Sequence, residues 1–419
     1  MQNSHCGLDF GTSNSTLGLV RAEGPALLPL EGGEVTIPSV IFFNFEDEVT
    51  HYGRKAIAEY SDGVSGRLMR SLKSVLGTSL MDDATRVRQR RISFGEIIET
   101  FVKELKRRGE HELGRALSKA VVGRPVHFVD DDPEADRAAQ NQLEEAVRNA
   151  GFADISFQFE PIAAALDHER HVTGEELALV VDIGGGTSDF TIIRLSPKGP
   201  RKPDRIDDIL ATAGVHVGGT DFDQLLSFRQ VMPKLGLGSE VRNSTRQVPI
   251  WPFHDLSTWH RINRLYAAKP MSDIRAIWKE AARADLVETL LRIVEGHLGH
   301  ALAGAVESAK IALSALGETE MEFVRDEIAL RARINRDQFD SAIAPAADRI
   351  PQAIKDALRL AGLQAGAIET LIMTGGSTQI PYVRKSLDRA FPGARFVETD
   401  AFGSVGIGLA LEAERRYGK

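Results

Sequence analysis

Residues 177–195 read LALVVDIGGGTSDFTIIRL. The segment opens as an apolar, β-branched run of the kind a buried strand needs. At Asp182 the run stops, Gly184, Gly185 and Gly186 follow, and Phe190, Ile192 and Ile193 resume a strand pattern. Strand, tight glycine turn and strand make a hairpin. Three glycines let the backbone approach a bulky anion and turn several N–H groups toward it. Thr187 adds a hydroxyl at the tip, and Asp182 and Asp189 place carboxylates on either side of it. Carboxylates beside a phosphate repel it unless a hard cation such as Mg²⁺ stands between them. The segment therefore reads as a Mg²⁺-nucleotide phosphate site, the plain alternative being an ordinary glycine-rich hairpin.

A second copy weighs against the plain alternative. Residues 6–22, CGLDFGTSNSTLGLVRA, repeat the layout: a strand ending at Asp9, then Gly11, Thr12, Ser13 and Ser15, then a strand through Thr16 to Val20. Internal similarity of this kind marks a duplicated architecture. Two such hairpins facing each other across a cleft hold one polyphosphate from both sides.

The composition fits a globular protein. The 419 residues are 42% hydrophobic and 26% charged, enough for more than one core. A net charge of −8 argues against nucleic-acid binding, which needs a basic face. The short basic runs at 86–91 and 106–108 are taken as solvated helix or loop faces. The single cysteine, Cys6, excludes an internal disulfide and suits a reducing compartment. No apolar run reaches the length of a membrane span and the N-terminus lacks a signal-peptide pattern, so a cytoplasmic protein is expected.

Further motifs follow along the chain. Residues 68–76, which include Lys73, have the spacing of a short helix. Residues 120–128 form a strand whose Arg124-Pro125 step must be extended. Asp130, Asp131 and Asp132 precede Pro133 at the start of a helix, where acids have an electrostatic reason to sit. Glu160 stands just ahead of Pro161 in a helix that begins at FEPIAAAL. Gly218 and Gly219 enter a helix carrying Asp221 and Asp223, a potential anion site. Residues 286–314 are expected to be helical throughout. Gly375, Gly376 and Ser377 turn a strand into a helix beginning near Pro381, a backbone cradle suited to a ribose or adenine. The stretch 233–300, with Trp251 and Trp259, has no clear pattern, and its aromatic loop is either a partner surface or a local core.

Six motifs in order, DFGTSNS, FEPIAAAL, VVDIGGGTSDF, GVHVGGTDFD, VESAKIALS and TGGSTQIP, resemble the nucleotide-binding domain of the heat-shock protein 70 (DnaK-type) chaperones, most of all the short YegD-like branch. The resemblance spans residues 5–417. It implies an α/β fold of the actin-like ATPase superfamily, with two ribonuclease H-like lobes and the nucleotide between them. Lobe I would be 1–171 completed by 398–419, with an insertion at 38–113; lobe II would be 172–397, with an insertion at 218–343. Asp9, Asp182 and Asp189 would hold Mg²⁺, largely through waters. Gly11, Thr12, Ser13 and Gly184 to Gly186 would bind the phosphates of ATP or ADP. Lys73, Glu160, Asp182 and Thr187 would neutralise charge and position the attacking water. Glu307, Lys310 and Ser314 would meet the adenosine opposite Gly375, Gly376 and Ser377, with Gly218 and Gly219 nearby. Pro125 and Arg137 resemble a pair that relays nucleotide state.

The departures from that pattern are as informative. Ile311 stands where the family has an arginine on the adenine, Gln379 replaces an arginine, Thr220 an acid and Asn14 an aromatic residue. No peptide-binding domain is expected beyond Lys419. The reading preferred from sequence is a slow Mg²⁺-dependent ATPase acting as a switch, with an unknown protein partner on the insertions and neither nucleic acid nor membrane as a target. Its competitors are a non-hydrolysing ATP or ADP sensor, a small-molecule kinase of the same superfamily, and a filament-forming relative of actin.

Overall fold

The computed structural model describes residues 4–129, 132–202, 204–325, 327–398 and 403–418, with the backbone alone at Asp82. Asp130 and Asp131 of the acidic triplet and residues 399–402 of the expected return to lobe I lie outside the described residues.

Two five-stranded paths carry the structure. The first uses β1 (His5–Phe10), β2 (Asn14–Arg21), β3 (Gly24–Leu27), β4 (Lys119–Arg124) and β5 (Asp154–Phe159) in the spatial order β5-β4-β1-β2-β3. The second uses β6 (Glu176–Ile183), β7 (Ser188–Leu195), β8 (Ile209–Val215), β9 (Thr370–Thr374) and β10 (Arg395–Glu398) in the order β10-β9-β6-β7-β8. The two orders are the same topology. Each opens with an antiparallel hairpin, adds a third antiparallel strand, and continues on the other side with two parallel strands. The duplication visible in the two glycine hairpins extends through both sheets.

The sheets meet through two helices. Helix Glu160–Glu169 buries Ile162, Ala164 and Ala165 against Ala178, Val180, Ile193 and Ile372 of the second sheet. Its other side places Ala163 against Val121 of the first sheet and against Leu409 and Ala413 of helix Ser404–Tyr417. A helix apolar on both sides is one packed between two layers. Its contact with the closing helix is backbone to backbone: a Cβ at Gly408 would stand 1.8 Å from the Ala163 carbonyl oxygen.

The remaining segments elaborate each lobe. Residues 40–113 form a three-stranded sheet (Thr50–Tyr52, Val40–Asn44, Gly66–Arg70), helix Gly53–Ser61, and helix Phe94–Leu113 with a Ser93–Glu96 capping box. Between β8 and β9 lie several helices and the hairpin Glu318–Arg325/Ile328–Asn335, whose buried alternate residues seal one face.

Three local expectations differ from the structure. Residues 68–76 are not a helix: Gly66–Arg70 pairs with Val40–Asn44, and the chain turns at Ser71 (φ 56°) into a short 3-10 turn, Leu72–Val75. Strand pairing supplied by a distant segment outweighs the local spacing. Residues 286–314 divide into helices Ala284–Glu295 and Gly299–Ala315, because His297 adopts φ 56° between them. The basic run 86–91 lies in a small hairpin, Ala84–Val87 with Arg90–Ser93.

The Gly408 contact makes a stability prediction. Gly408→Ala should lower the urea unfolding free energy by about 2 kcal/mol or more, since a methyl group there must displace backbone.

Candidate functional site

The glycine hairpins of both lobes point their tips into the cleft, at the carboxyl ends of β1 and β6, where open α/β sheets bind ligands. Register fixes the acids there. Asp182 is paired directly with Asp189 across the β6–β7 hairpin, and Asp9 with Thr16 across β1–β2. Like charges directly opposite on paired strands repel. Glu160, the first residue of its helix, and Lys73, two residues after the left-handed Ser71, complete the group. Lys73 is buried and its Nζ donates to Glu160 Oε1.

The electrostatics of this group are one-sided. Burial, Asp189, Glu160 and Asp9 push the Asp182 carboxyl up to about 7. Burial and Glu160 do the same for Asp9, also to about 7. Burial opposes the Lys73 charge, but Glu160, Asp9 and Asp182 outweigh it and hold the ammonium above its usual range. One lysine thus serves three acids, with Asp189 close by. Such a site of hard oxygen donors suits Mg²⁺. Among the described residues no three acidic, histidine or cysteine side chains converge to ligate an ion directly.

The glycines form a close stack between the lobes. A Cβ on Gly185 would lie 2.6 Å from Ser13 Oγ of the opposite hairpin. Gly218 packs on Gly185 so tightly that its Cβ would stand 2.6 Å from the Gly185 carbonyl. Amides of this second turn are engaged within the protein: Gly219 N–H donates to the Gly184 carbonyl (2.9 Å) and Gly218 N–H to the Asp221 carboxylate (2.9 Å). The Gly218-Gly219 turn accordingly docks helix Gly219–Leu226 onto the phosphate-type hairpin. Gly375 (φ 80°) closes over Ile183 and Asp182, and Ser377 Oγ reaches the Gly184 carbonyl at 3.4 Å. Gly186 and Thr187 stay exposed at the tip, as do Thr12 and Ser13 opposite. Gly11 is half-buried beneath them, its carbonyl held by Ser39 Oγ at 2.6 Å.

The third cluster gathers side chains from several elements around the Gly219 turn. Lys310 is buried and donates to Asp223 Oδ2 (2.8 Å) and the Gly219 carbonyl (3.3 Å). Asp223 itself is pushed up to about 6 by burial, against the pull of Lys310. Ser314 Oγ donates to the Lys310 carbonyl (3.4 Å), while Glu307 and Ile311 are exposed on the same helix, Ile311 at 62%. The structure brings Lys310, Gly219 and Ser377 together and leaves Glu307 at the rim.

Sequence reading missed the tie across that rim. Arg70, on the lobe I insertion, lays its guanidinium over the Trp259 ring at 4.9 Å; burial lowers its pKa, and Glu307 and Asp223 pull the other way. His300 is wedged between the rings of Tyr60 and Trp259, 4.6 Å from each. Asn263 donates to the Tyr60 hydroxyl. Trp259 is therefore a contact between lobes, whereas Trp251 packs against the second-lobe core. Arg70 carried one signal only, its place three residues before Lys73. Below the acids, a cavity of about 850 Å³ opens, lined among others by Arg124, Pro125, Glu160, Asp182, Asp189 and Gly214.

The family model described as Hsp70 protein matches residues 5–232 and 296–418. The chain belongs to the Hsp70 family. Similar proteins are a chaperone protein HscA homolog of Bordetella pertussis, 27% identical over 425 residues, and one of Laribacter hongkongensis, 28% identical. A chaperone protein DnaK of Thermosipho africanus is 27% identical over 418 residues. Each alignment covers 97% of this chain but 57–58% of the relative, so the chain spans less than three-fifths of their length. Membership of the Hsp70 family implies nucleotide binding and the actin-like ATPase fold. Residues 233–295, which supply Trp259 and Asn263, fall outside the family match. Among the described residues no helix is long and apolar enough to cross a membrane.

The folded-state pKa of Asp182 lies above its unfolded value, so its carboxyl favours folding at low pH and that contribution is lost as pH rises toward 7. In EDTA and without nucleotide, Asp182→Asn should gain stability over wild type between roughly pH 5 and pH 8, by about 1 kcal/mol at the upper end. Tyr60→Ala should loosen the rim: hydrogen exchange of residues 53–70 and 259–300 should quicken together, while the unfolding midpoint of the β-sheet core changes little.

Proposed function

We propose that this Hsp70-family chain binds ATP and ADP with Mg²⁺ between the two glycine hairpins and hydrolyses ATP slowly, the nucleotide state biasing how the lobes close. One observation supports this most: the buried Lys73–Glu160 pair lies among Asp9 and Asp182 at the point where the two hairpins face each other. The chemistry is positioning and electrostatic stabilisation, without a covalent enzyme intermediate.

Asp9, Asp182 and Asp189 would hold Mg²⁺ through water, and the ion would neutralise phosphate charge. The Gly184–Gly186 tip with Thr187, and Gly11, Thr12 and Ser13 opposite, would seat the phosphates. Lys73, kept charged by its three acids, would face the γ-phosphate. Glu160, Asp182 and Thr187 would orient the attacking water and accept its proton. Lys310, Glu307 and Ser314 would lie at the nucleoside end, with Gly218, Gly219, Gly375, Gly376 and Ser377 shaping its floor. A client or partner protein would use the insertions, residues 38–113 and 218–343. With a net charge of −8, nucleic acid is not the target. The chain would work in the cytoplasm.

A second reading, a nucleotide sensor without turnover, is favoured by one feature. Ile311 and Gln379 are exposed and offer the base neither a cation nor a ring.

Single-turnover assays with radiolabelled ATP decide between them. ADP should form only with Mg²⁺, and Lys73→Ala and Asp182→Ala should each slow its formation roughly 100-fold or more. ATP that stays bound for many hours without producing ADP would leave the sensor reading standing and remove the enzyme.

A further inference from the structure

Among the described residues, the side-chain partner of Glu160 is Lys73, which comes from outside its own helix. Glu160 is the first helical residue, and the preceding Phe159 is an N-cap without a side-chain capping bond. Two features of strand β4 supply what the cap does not. Gly123 lets Glu160 lie against the strand, since a Cβ there would come within 3.2 Å of Glu160 Cγ. Next to it, Arg124 stacks its guanidinium on the Phe159 ring at 5.3 Å.

Arg124 is itself caged. It donates to the carbonyls of Pro125 (3.0 Å) and Val126 (3.2 Å), to the Gln140 side chain, and to Asp136 Oδ2 (2.9 Å). Phe128 covers it at 5.3 Å, and Asp136 in turn takes the Phe128 N–H at 2.6 Å. Those hydrogen bonds hold the Asp136 carboxyl below its usual range despite burial, so its charge on Arg124 is permanent. A planar fork that donates in several directions and stacks on a ring is a role only arginine fills. Arg137, by contrast, is exposed and forms no hydrogen bond or ion pair among the described residues.

We propose that Arg124 is the positioning residue of Glu160, tying it through Phe159 to the cage on helix Pro133–Asn149. Arg124, Asp136, Gln140 and Glu160 line the cavity beneath the acids. The proposal rests on the hydrolytic reading for its rate consequence, but its geometric consequence is independent of turnover.

The test uses the full chain with Arg124→Ala, Arg124→Lys and Asp136→Asn, and with Leu360→Ala as the comparison on the same cavity wall. Acetylation of Lys73 by acetic anhydride, read by mass spectrometry without nucleotide, reports whether Lys73 and Glu160 stay paired. It should rise roughly five-fold in Arg124→Ala, less in Asp136→Asn, and stay at wild-type level in Leu360→Ala. Single-turnover hydrolysis should fall roughly ten-fold in Arg124→Ala with ADP affinity within about two-fold, and Arg124→Lys should not restore it. Unchanged Lys73 labelling in Arg124→Ala overturns the proposal. So does a parallel loss of ADP affinity, rate and unfolding midpoint in both Arg124→Ala and the milder Asp136→Asn, which would make the cage merely structural. If the wild type forms no ADP, the hydrolytic reading fails while the labelling result still decides the role of Arg124.

Discussion

Asp182 and Asp189 face each other across two hydrogen-bonded strands, and Asp9 and Glu160 approach from the opposite lobe, with Lys73 as the cation among them. Left to itself this cluster disfavours its own fold, because like charges are brought together where water is scarce. It is held in place by packing behind it. The strands that end in Asp9 and Asp182 are the central strands of their sheets, buried on both faces. The helix that begins at Glu160 is locked by the Ala163–Gly408 contact. The charge cluster stores repulsion of a kind that a bound cation would relieve.

Duplication explains why the repulsion falls on one line. The same strand order occurs in both lobes, so each presents a hairpin tip at the same end of its sheet. The two tips then touch, Ser13 against Gly185. The nucleoside end is built from unrelated segments and is correspondingly individual. Lys310 is bound to Asp223, Ile311 faces solvent, and the rim is tied by Arg70 and Tyr60 to Trp259, Asn263 and His300. Part of that tie belongs to residues 233–295, the stretch outside the family match.

What could be read in the sequence was what is local. The hairpins 9–16 and 182–189, the Gly218-Gly219 and Gly375-Gly376 turns and the helix after Pro161 each carry their signal within a dozen residues. Residues 68–76 misled because Leu68, Leu72 and Val75 have helical spacing, while the decision was made by pairing with Val40–Asn44. The break at His297 left no proline and only Gly296 beside it, so two helices looked like one. Lys310 with Asp223, Arg70 with Trp259, and Arg124 with Phe159 join residues 35 or more positions apart; no periodicity encodes them. These contacts come from the tertiary fold, and they are where this chain differs from a generic reading of its motifs.

The central claim is that one ligand bridges both hairpins. Hydrogen exchange with and without Mg²⁺ and ADP tests it directly, read at residues 10–15 and 184–189. Protection should appear at both tips together and be lost at both when Mg²⁺ is withdrawn. Protection of one tip alone, or of neither at a saturating nucleotide concentration, would contradict a site shared between the lobes.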